Sequence, residues 1–418
     1  MHFLMCPLGT AGDIHPFLAI GCRLRQRGHQ VSMISHTQFG PLIRSHGLEF
    51  IDLNDEPAYS ETHNNPDVWH PRRGSALGAR FFLRHTMRPY YQAVADRYVP
   101  GRTVTVSNHS GFGGRMAHDH LGVPYVTLQT SPAYAFSVLR PPRYAFWSPS
   151  ERSPLWFRRA YFWVGDRLVV DPLLGPEINR FRSELGLPPV RHLLRWQMSP
   201  QRIIGLFPRW FSDPRPEDWP AHLIESEFPL FDDAEGLPDD LAEFLRQGDP
   251  PIVFTPGTGV THAADFFRAA VEACLQLGRR GLLLSRTVTH IPPSLPDRIR
   301  HFSYAPLGAL LPHAAAMVYH GGIGTLAQTI RAGLPHVVMP MAHDQPDNAY
   351  RLVRLGVGRV VWPRHFTGAN LAQALRELLT NADVTRRCRE LAQRIPADPV
   401  APTVELLERF AQEVASSG

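Results

Sequence analysis

The 418-residue sequence contains no lysine, so its 43 basic residues are all arginines. A Walker A phosphate loop, a pyridoxal Schiff base and a kinase-type active site each require a lysine, and all three are therefore excluded. Any bound anion must instead be held by arginine side chains, backbone amides or helix ends. The formal net charge is +5, but the arginines are scattered and no nucleic-acid-binding motif is found, which argues against a nucleic-acid partner.

Cysteines and long apolar runs are also scarce. The four cysteines show no metal-ligand spacing, so neither a zinc site nor a disulfide framework is predicted at Cys6, Cys22, Cys274 or Cys388. No stretch approaches the ~18 apolar residues that a membrane span needs, and the N-terminus has no charged segment followed by a cleavage site. We therefore expect a soluble cytoplasmic protein, at most peripherally associated with the inner face of a membrane.

Short apolar runs alternate with helical periodicity in both halves of the chain, which is typical of parallel sheets covered by helices. The sequence therefore predicts an α/β protein with two Rossmann-like doubly wound parallel-sheet domains that face a central cleft. The predicted strands are 2–8, 30–36, 48–53, 103–107 and 125–129 in the first half and 251–256, 281–285, 299–304, 317–320 and 336–339 in the second.

A stretch rich in proline and acidic residues separates the two halves. We place an N-terminal domain at 1–210, a linker region at 211–250, a C-terminal domain at 251–395 and a terminal helix at 396–418. Within the first domain, residues 130–175 are rich in proline, arginine and aromatic residues. This insertion either forms an apolar acceptor pocket or packs its aromatic side chains on the core.

Two glycine-containing turns, at residues 255–259 and 320–325, each follow a predicted strand of the second half. Both should open on the same edge of the sheet. A helix follows the turn His320-Gly-Gly-Ile-Gly-Thr325, so free N–H groups and the positive end of the helix dipole are available to a phosphate. The alternative is that these glycines only permit tight turns with positive φ. Two anion-binding turns that face one crevice suit a diphosphate, and the candidate residues are His320, Gly322, Gly324, Thr325, Thr258 and Gly259.

Polar residues at the starts of two further helices face the same crevice. Asp13 follows the first strand, where it is either a helix N-cap or a general base, and a helix N-terminus would keep it ionised but weakly basic. Asp344 is likewise either an N-cap or a ligand for sugar hydroxyls, and the amide of Gln345 lies beside it. Arg286 and Gly12 are further candidate donor contacts.

No metal site is predicted. The sequence has no Asp-x-Asp triplet and no carboxylate pair spaced to hold a divalent metal on a nucleotide diphosphate. A leaving diphosphate would therefore be stabilised by backbone amides, His320 and Arg286.

Two motifs carry a family resemblance. One is Gly9-Thr-Ala-Gly-Asp-Ile-His-Pro-Phe17, and the other runs from Tyr304-Ala-Pro-Leu through the glycine turn to Ala342-His-Asp-Gln-Pro-Asp-Asn-Ala349. Both resemble the family 1 nucleotide-sugar glycosyltransferases, whose fold is of the GT-B type. Within that family, the stretches Leu206-Phe-Pro-Arg-Trp-Phe211 and Phe228-Pro-Leu-Phe-Asp232 are most similar to the rhamnosyltransferase catalytic subunit of rhamnolipid synthesis.

The resemblance implies roles for the candidate residues. Asp13 would be the base of an inverting transfer, His320 and the amides of 322–325 would bind the diphosphate, and Asp344 with Gln345 would bind the sugar. The N-terminal domain would bind the acceptor, the C-terminal domain the nucleotide sugar, and the terminal helix would return to the first domain.

One position departs from part of the family. Plant members pair a histidine at the position of Asp13 with an aspartate after the fourth strand, whereas this chain has Asn108 near that place. The departure favours Asp13 acting without a dyad partner.

The resemblance implies transfer of L-rhamnose from dTDP-rhamnose to a hydroxyl of an apolar lipid acceptor, with no cofactor beyond the nucleotide sugar. An alternative is a UDP-glucose-dependent enzyme that acts on a polyketide, sterol or phenolic acceptor. A third interpretation, of another class, is a non-catalytic protein that binds a nucleotide sugar or a lipid.

Overall fold

Two parallel β-sheets form the framework of the chain in a computed structural model that describes residues 1–213, 215–232, 236–257 and 263–417. The strands are β1 (His2–Cys6), β2 (Gln30–Ser35), β3 (Glu49–Asp52), β4 (Thr103–Ser107), β5 (Tyr125–Gln129), β6 (Arg202–Gly205), β7 (Leu223–Glu225), β8 (Ile252–Thr255), β9 (Gly281–Leu284), β10 (Ile299–Phe302), β11 (Ala316–Tyr319), β12 (His336–Val338) and β13 (Gly358–Val360). The first sheet has the order β3-β2-β1-β4-β5-β6-β7 and the second β10-β9-β8-β11-β12-β13. The predicted doubly wound α/β fold is confirmed.

Helices connect these strands. They are α1 (Ala11–Gln26), α2 (Gly40–Ser45), α3 (Ala58–Asn64), α4 (Gly74–Phe81), α5 (Met87–Ala95), α6 (Phe112–Leu121), α7 (Leu155–Gly165), α8 (Asp171–Glu184), α9 (Leu193–Trp196), α10 (Arg209–Ser212), α11 (Asp239–Arg246), α12 (Ala264–Leu277), α13 (Leu307–Leu310), α14 (Ile323–Arg331), α15 (Gln345–Arg354), α16 (Gly368–Leu379), α17 (Ala382–Ala392) and α18 (Ala401–Ser417). Across the described ranges, none of them combines the length and the apolar character that a bilayer span requires.

Each sheet reverses its strand order at one central strand. In the first sheet, β1 pairs in parallel with β2 on one side and with β4 on the other. In the second, β8 pairs with β9 and with β11. Such a reversal separates the loops at the carboxyl ends of the two strands and leaves a crevice there, which is where open α/β sheets bind ligands.

The first sheet is covered on both faces by apolar packing. Helices α1 and α18 bury Phe17 and Leu407 on one face, while α5 and α8 bury Tyr90 and Ile178 on the other. The last helix thus completes the core of the first sheet, although it follows the second sheet in the chain. The second sheet has a core of its own, which extends into residues 198–244.

Three strands of the structure, β6, β7 and β13, were not predicted from the sequence. They contain only three or four residues each, but β8 to β12 are equally short and were predicted, so length alone does not explain the difference. Strand β7 pairs with β6 and lies inside the segment 211–250 that was predicted as a linker. The first sheet therefore extends beyond the predicted boundary at residue 210.

Candidate active site

A cavity of about 460 Å³ lies between the two sheets, at the carboxyl ends of their strands. The loops after β1 and β4 line it from the first half, and the loops after β8 and β11 line it from the second. The crevices of the two strand-order reversals therefore open into one shared space. A ligand in this space would contact both halves of the chain.

Asp13 lies in the first turn of α1 and lines the cavity. The backbone N–H of Thr10 donates to its Oδ2 at 2.9 Å, and the two residues form a capping box in which Thr10 is the N-cap. The alternative in which Asp13 itself is the N-cap is therefore wrong. Asn108, which follows β4, is close enough to lower the pKa of the Asp13 carboxyl, while its Nδ2 donates to the Leu8 carbonyl at 2.6 Å.

Burial raises the pKa of Asp13 to about 6, although the hydrogen bonds from Thr10 and the charge of His36 act in the opposite direction. The expectation that the helix N-terminus makes Asp13 a weak base is therefore wrong, because desolvation outweighs the helix end and its hydrogen bonds. A carboxylate with this pKa is still mostly ionised at neutral pH. It also holds a proton more tightly than an ordinary aspartate, as a general base requires.

Asp344 lines the same cavity from the second half. It occupies the N-cap position of α15, but its side chain makes no capping hydrogen bond and its Oδ2 instead accepts from Nδ2 of Asn348 at 2.7 Å. Burial, and after it the negative charge of Asp13, raises the pKa of Asp344 to about 7. The two carboxyls therefore titrate as a coupled pair.

Gln345 is only 3% exposed and fastens the loop that precedes α15. Its Oε1 accepts from the backbone N–H of Met341 at 2.9 Å and from that of Ala342 at 3.3 Å. Because these bonds engage both lone pairs of the oxygen, Gln345 can offer a ligand its NH2 group.

The start of α15 also joins the two halves of the chain. Ser131 Oγ donates to Asn348 Oδ1 at 3.0 Å, and the backbone N–H of Arg143 donates to Asp347 Oδ1 at 3.0 Å. The helix that carries Asp344 is thus held in place by the first half.

His320 follows β11 and lies between two glycines. A Cβ atom at Gly257 or at Gly322 would overlap its imidazole ring, and the φ of 97° at Gly257 also favours glycine. Burial lowers the pKa of His320 to about 4, so the ring is neutral at neutral pH. Its Nδ1 is buried and has no hydrogen-bond partner among the described residues.

The N-terminus of α14 opens into the cavity, which is lined by Gly322, Gly324 and Thr325. The first N–H groups of a helix have no partner within it and attract anions. Positive φ explains the glycine at Gly321, with φ 99°, but not at Gly322, with φ −62°. A Cβ atom at Gly324 would meet nothing within 4 Å, so this glycine keeps space free beside the helix end.

Comparison with known proteins shows which protein family this chain belongs to. The model "Glycosyltransferase family 28 N-terminal domain" matches residues 3–140, and the model "Erythromycin biosynthesis protein CIII-like, C-terminal domain" matches residues 285–410. The chain is 30% identical to the O-mycaminosyltylonolide 6-deoxyallosyltransferase of Streptomyces fradiae, over 99% of this chain and 98% of that protein. The chain belongs to the family 1 glycosyltransferases.

Solved structures agree on the fold of this glycosyltransferase. The calicheamicin glycosyltransferase CalG4 superposes with a TM-score of 0.74 at 20% identity, covering 99% of both chains. The spinosyn rhamnosyltransferase SpnG, complexed with thymidine diphosphate, superposes with a TM-score of 0.69 at 18% identity, covering 98% of this chain and all of the other. The architecture is therefore that of the GT-B glycosyltransferases.

The structure brings most of the predicted site residues of the glycosyltransferase together. Those that line the cavity are Gly12, Asp13, Arg286, His320, Gly322, Gly324, Thr325, Asp344 and Gln345. Arg286 is at the exposed rim, where its guanidinium lies 5.4 Å from the centroid of the Tyr304 ring. Thr258 and Gly259 lie outside the described residues. Within the described ranges, no group of three or more His, Cys, Asp or Glu side chains is arranged to hold a metal ion.

An aromatic wall of the cavity was missed by the sequence analysis. It consists of Tyr59, Trp69, Phe81 and Phe82, which belong to α3, to α4 and to the segments beside them. The insertion 130–175 was expected to form an apolar pocket or to pack on the core, and parts of it do: Thr130 and Tyr134 line the cavity, while Ala135 and Leu174 lie in the core. Its helix α7 does neither, because none of its residues is buried and none lines the cavity. Aromatic content alone does not show which way the side chains point.

A buried pair behind the loop after β1 was also missed. His36 Nδ1 hydrogen-bonds to Asp55, and His36 Nε2 accepts from the backbone N–H of Gly9 at 3.1 Å. Tyr59 donates from its hydroxyl to the Gly9 carbonyl at 3.0 Å. The peptide at Gly9 is thus held on both sides, which fixes the loop that carries Asp13. These residues are too far apart in sequence to form a motif.

Replacing Gly324 tests whether the open space beside α14 receives a ligand. We expect Gly324→Ala to raise the KM for the sugar donor at least about tenfold, because a methyl group would occupy that space. The melting temperature should not fall, since alanine is the better helix former. Gly165→Ala is the matched control, because a Cβ atom there also meets nothing within 4 Å but lies outside the cavity. An unchanged donor KM in Gly324→Ala would contradict the assignment.

Proposed function

We propose that this glycosyltransferase transfers a 6-deoxyhexose from a thymidine diphosphate donor to a hydroxyl of an apolar acceptor, with inversion and without a metal. The observation that carries the proposal is the pair of carboxyls, Asp13 and Asp344, which come from different halves of the chain. Both line one cavity, and both have raised pKa values. A donor bound by the second half and an acceptor bound by the first would react between them.

The donor diphosphate is bound by dipoles in this proposal. The N–H groups at the start of α14 and the neutral ring of His320 face the phosphate oxygens, since both line the cavity. Residues of both glycine turns take part, together with two rim contacts: His320, Gly322, Gly324, Thr325, Thr258, Gly259, Arg286 and Gly12. The donor sugar lies against Asp344, which at its pKa of about 7 can donate or accept a hydrogen bond, and against the NH2 group of Gln345.

The reaction is a single displacement. The acceptor oxygen bonds to the anomeric carbon of the sugar while its proton passes to the Asp13 carboxylate. The bond from the anomeric carbon to the diphosphate oxygen breaks, and its electron pair leaves with the diphosphate. Because the acceptor attacks from the face opposite the leaving group, the anomeric configuration is inverted. Oδ2 of Asp13 is engaged by Thr10, so Oδ1 is the atom that receives the proton.

The donor proposal has two sources of support. The relative from Streptomyces fradiae is named as a 6-deoxyallosyltransferase, and one similar structure is a rhamnosyltransferase complexed with thymidine diphosphate. Both names refer to 6-deoxyhexoses. We place L-rhamnose first among these sugars because the middle of the chain resembles the rhamnosyltransferases of rhamnolipid synthesis.

The acceptor proposal rests on the aromatic wall formed by Tyr59, Trp69, Phe81 and Phe82. Such a wall favours an apolar molecule, and the polar atoms beside it are few. A hydroxyacyl lipid and the hydroxylated aglycone of a natural product both fit this description. The same fold with UDP-glucose as donor is the competing proposal.

A panel of donors and acceptors tests the function. We expect release of thymidine diphosphate when dTDP-rhamnose or another dTDP-6-deoxyhexose is supplied together with a hydroxyacyl lipid or a macrolide aglycone. The product is identified by mass spectrometry, and each donor without acceptor is the control for hydrolysis. If UDP-glucose were the only donor turned over, the proposed thymidine diphosphate donor would be contradicted. If no pair of donor and acceptor released a nucleoside diphosphate, the proposed transfer would be contradicted.

Replacing Asp13 separates catalysis from donor binding. We expect Asp13→Asn to lower kcat by about a thousandfold, because a general base contributes roughly 10²–10⁴ to the rate. The stabilisation of the protein by thymidine diphosphate, measured as a thermal shift, should remain, since all the proposed donor contacts except Gly12 lie in the second half. Asp96→Asn, at an exposed site far from the cavity, is the control. Loss of both sugar transfer and thymidine diphosphate binding in Asp13→Asn would indicate a structural role for Asp13.

The dependence of activity on pH gives an independent test of the base. Burial raises the pKa of Asp13 to about 6, and only the ionised form accepts a proton, so kcat/KM should be lost as the pH falls through about 6. An ordinary aspartate would remain active to about pH 4. In Asp344→Asn an acidic limb should remain, because Asp13, the proposed base, is still buried in that variant. A profile that is flat down to pH 5 would contradict the assignment.

A further inference from the structure

The insertion after β5 exposes large apolar side chains. Of the twelve such side chains exposed in the described part of the chain, seven lie between residues 146 and 169. Trp156 is 71% exposed, Leu168 64% and Trp163 58%. Soluble proteins seldom leave several tryptophans and aliphatic side chains together in water, and such a patch usually marks a contact with a membrane or a partner.

Helix α7 turns its apolar side outward. Trp156, Ala160 and Trp163 fall on one face at helical spacing, and all three are exposed. The opposite face is the attached one, where the Tyr161 ring lies 5.1 Å from the Trp147 ring and the Arg158 guanidinium donates to the Val138 carbonyl at 3.1 Å. The exposed tryptophans are therefore presented by a helix that is fixed to the body of the protein.

The charge around this surface is positive. Between residues 140 and 170 the chain has six arginines and two acidic residues, Glu151 and Asp166. Glu151 is paired with Arg140 at 3.0 Å, while Arg152 and Arg159 are exposed beside the tryptophans. A rigid apolar face flanked by arginines is complementary to an anionic lipid surface, where tryptophan rings enter the interface and cations meet the phosphates.

The segment that precedes α7 lies beside the wall of the cavity. The Arg72 guanidinium lies 6.0 Å from the ring centroid of Phe146 in that segment, and Trp69 and Gly74, on either side of Arg72 in the chain, line the cavity. A bilayer on this surface would therefore lie close to the part of the cavity to which we assign the apolar acceptor.

We propose that the α7 surface, defined as Trp156, Trp163, Leu168, Val169 and the flanking Arg152 and Arg159, docks the enzyme on an anionic membrane. The contact is peripheral, and it orients the apolar wall of the cavity toward the lipid phase. This proposal is independent of the sugar donor and of the identity of the acceptor.

Co-sedimentation with vesicles tests the proposal. We expect the full-length protein to sediment with vesicles of equal parts phosphatidylglycerol and phosphatidylcholine, and far less with phosphatidylcholine alone. In Trp156→Ser/Trp163→Ser the partition coefficient should fall roughly tenfold for each tryptophan removed. Arg152→Gln/Arg159→Gln should bind both kinds of vesicle weakly and to a similar extent. Trp362→Ser, at an exposed tryptophan far from the surface, is the matched control and should bind like the unaltered protein.

Other occupants of the surface give different results. The proposal is overturned if the unaltered protein stays in the supernatant, or if Trp156→Ser/Trp163→Ser binds as well as Trp362→Ser. It is also overturned if sedimentation velocity shows a dimer that only the tryptophan variant abolishes, because the surface would then contact a second copy of the chain. Thermal shifts with thymidine diphosphate should be the same in all variants, so a failure of vesicle binding is distinguishable from a failure of the proposed function.

Discussion

Burial of the Asp13 carboxyl at the start of α1 is the constraint on which the arrangement of the site depends. A carboxylate removed from water is costly unless it is hydrogen-bonded, and Thr10 supplies the bond within the same turn. The loop before it is held in turn by His36 and Tyr59, which bond to the two sides of the Gly9 peptide. Desolvation then raises the pKa of Asp13 to about 6. Burial thus gives this carboxyl a higher pKa than an exposed aspartate has.

The second half of the chain adds a like charge to the site. Burial and the negative charge of Asp13 both raise the pKa of the Asp344 carboxyl. This coupling depends on the distance between the halves, which is held by the bonds of Ser131 and Arg143 to the first turn of α15. A rotation of one half against the other would break these bonds and bring both carboxyls toward their ordinary pKa values. The pKa values of the two carboxyls therefore depend on the geometry of the interface between the halves.

Local sequence predicts those features of the molecule that local interactions determine. The buried strands β4 and β5 (Thr103–Ser107, Tyr125–Gln129) were predicted with the same ends as in the structure, because each is a run of strand-forming residues bounded by turn residues. Asp13 and Asp344 were found because they follow strands at the carboxyl edges, which parallel topology brings together. The bond from His36 to Gly9 spans 27 residues and leaves no pattern in the sequence. Burial of a side chain also leaves no pattern in the sequence. For this reason the pKa of Asp13 was expected to be set by the helix end, whereas in the structure it is set mainly by desolvation.

The lack of lysine in the sequence has a consequence for the base. A cation fixed beside the phosphate site would favour the ionised forms of Asp13 and Asp344 and would lower both pKa values. The groups that face the proposed phosphate position are instead amide dipoles at α14 and the neutral imidazole of His320, and Arg286, the one arginine among the described residues that line the cavity, is exposed to solvent. Dipoles fall off with distance faster than charges, so they can bind a diphosphate while leaving the carboxyl pair nearly unaffected. Binding of the anionic donor would then raise the pKa of Asp13 further, which strengthens the base once the substrate is in place.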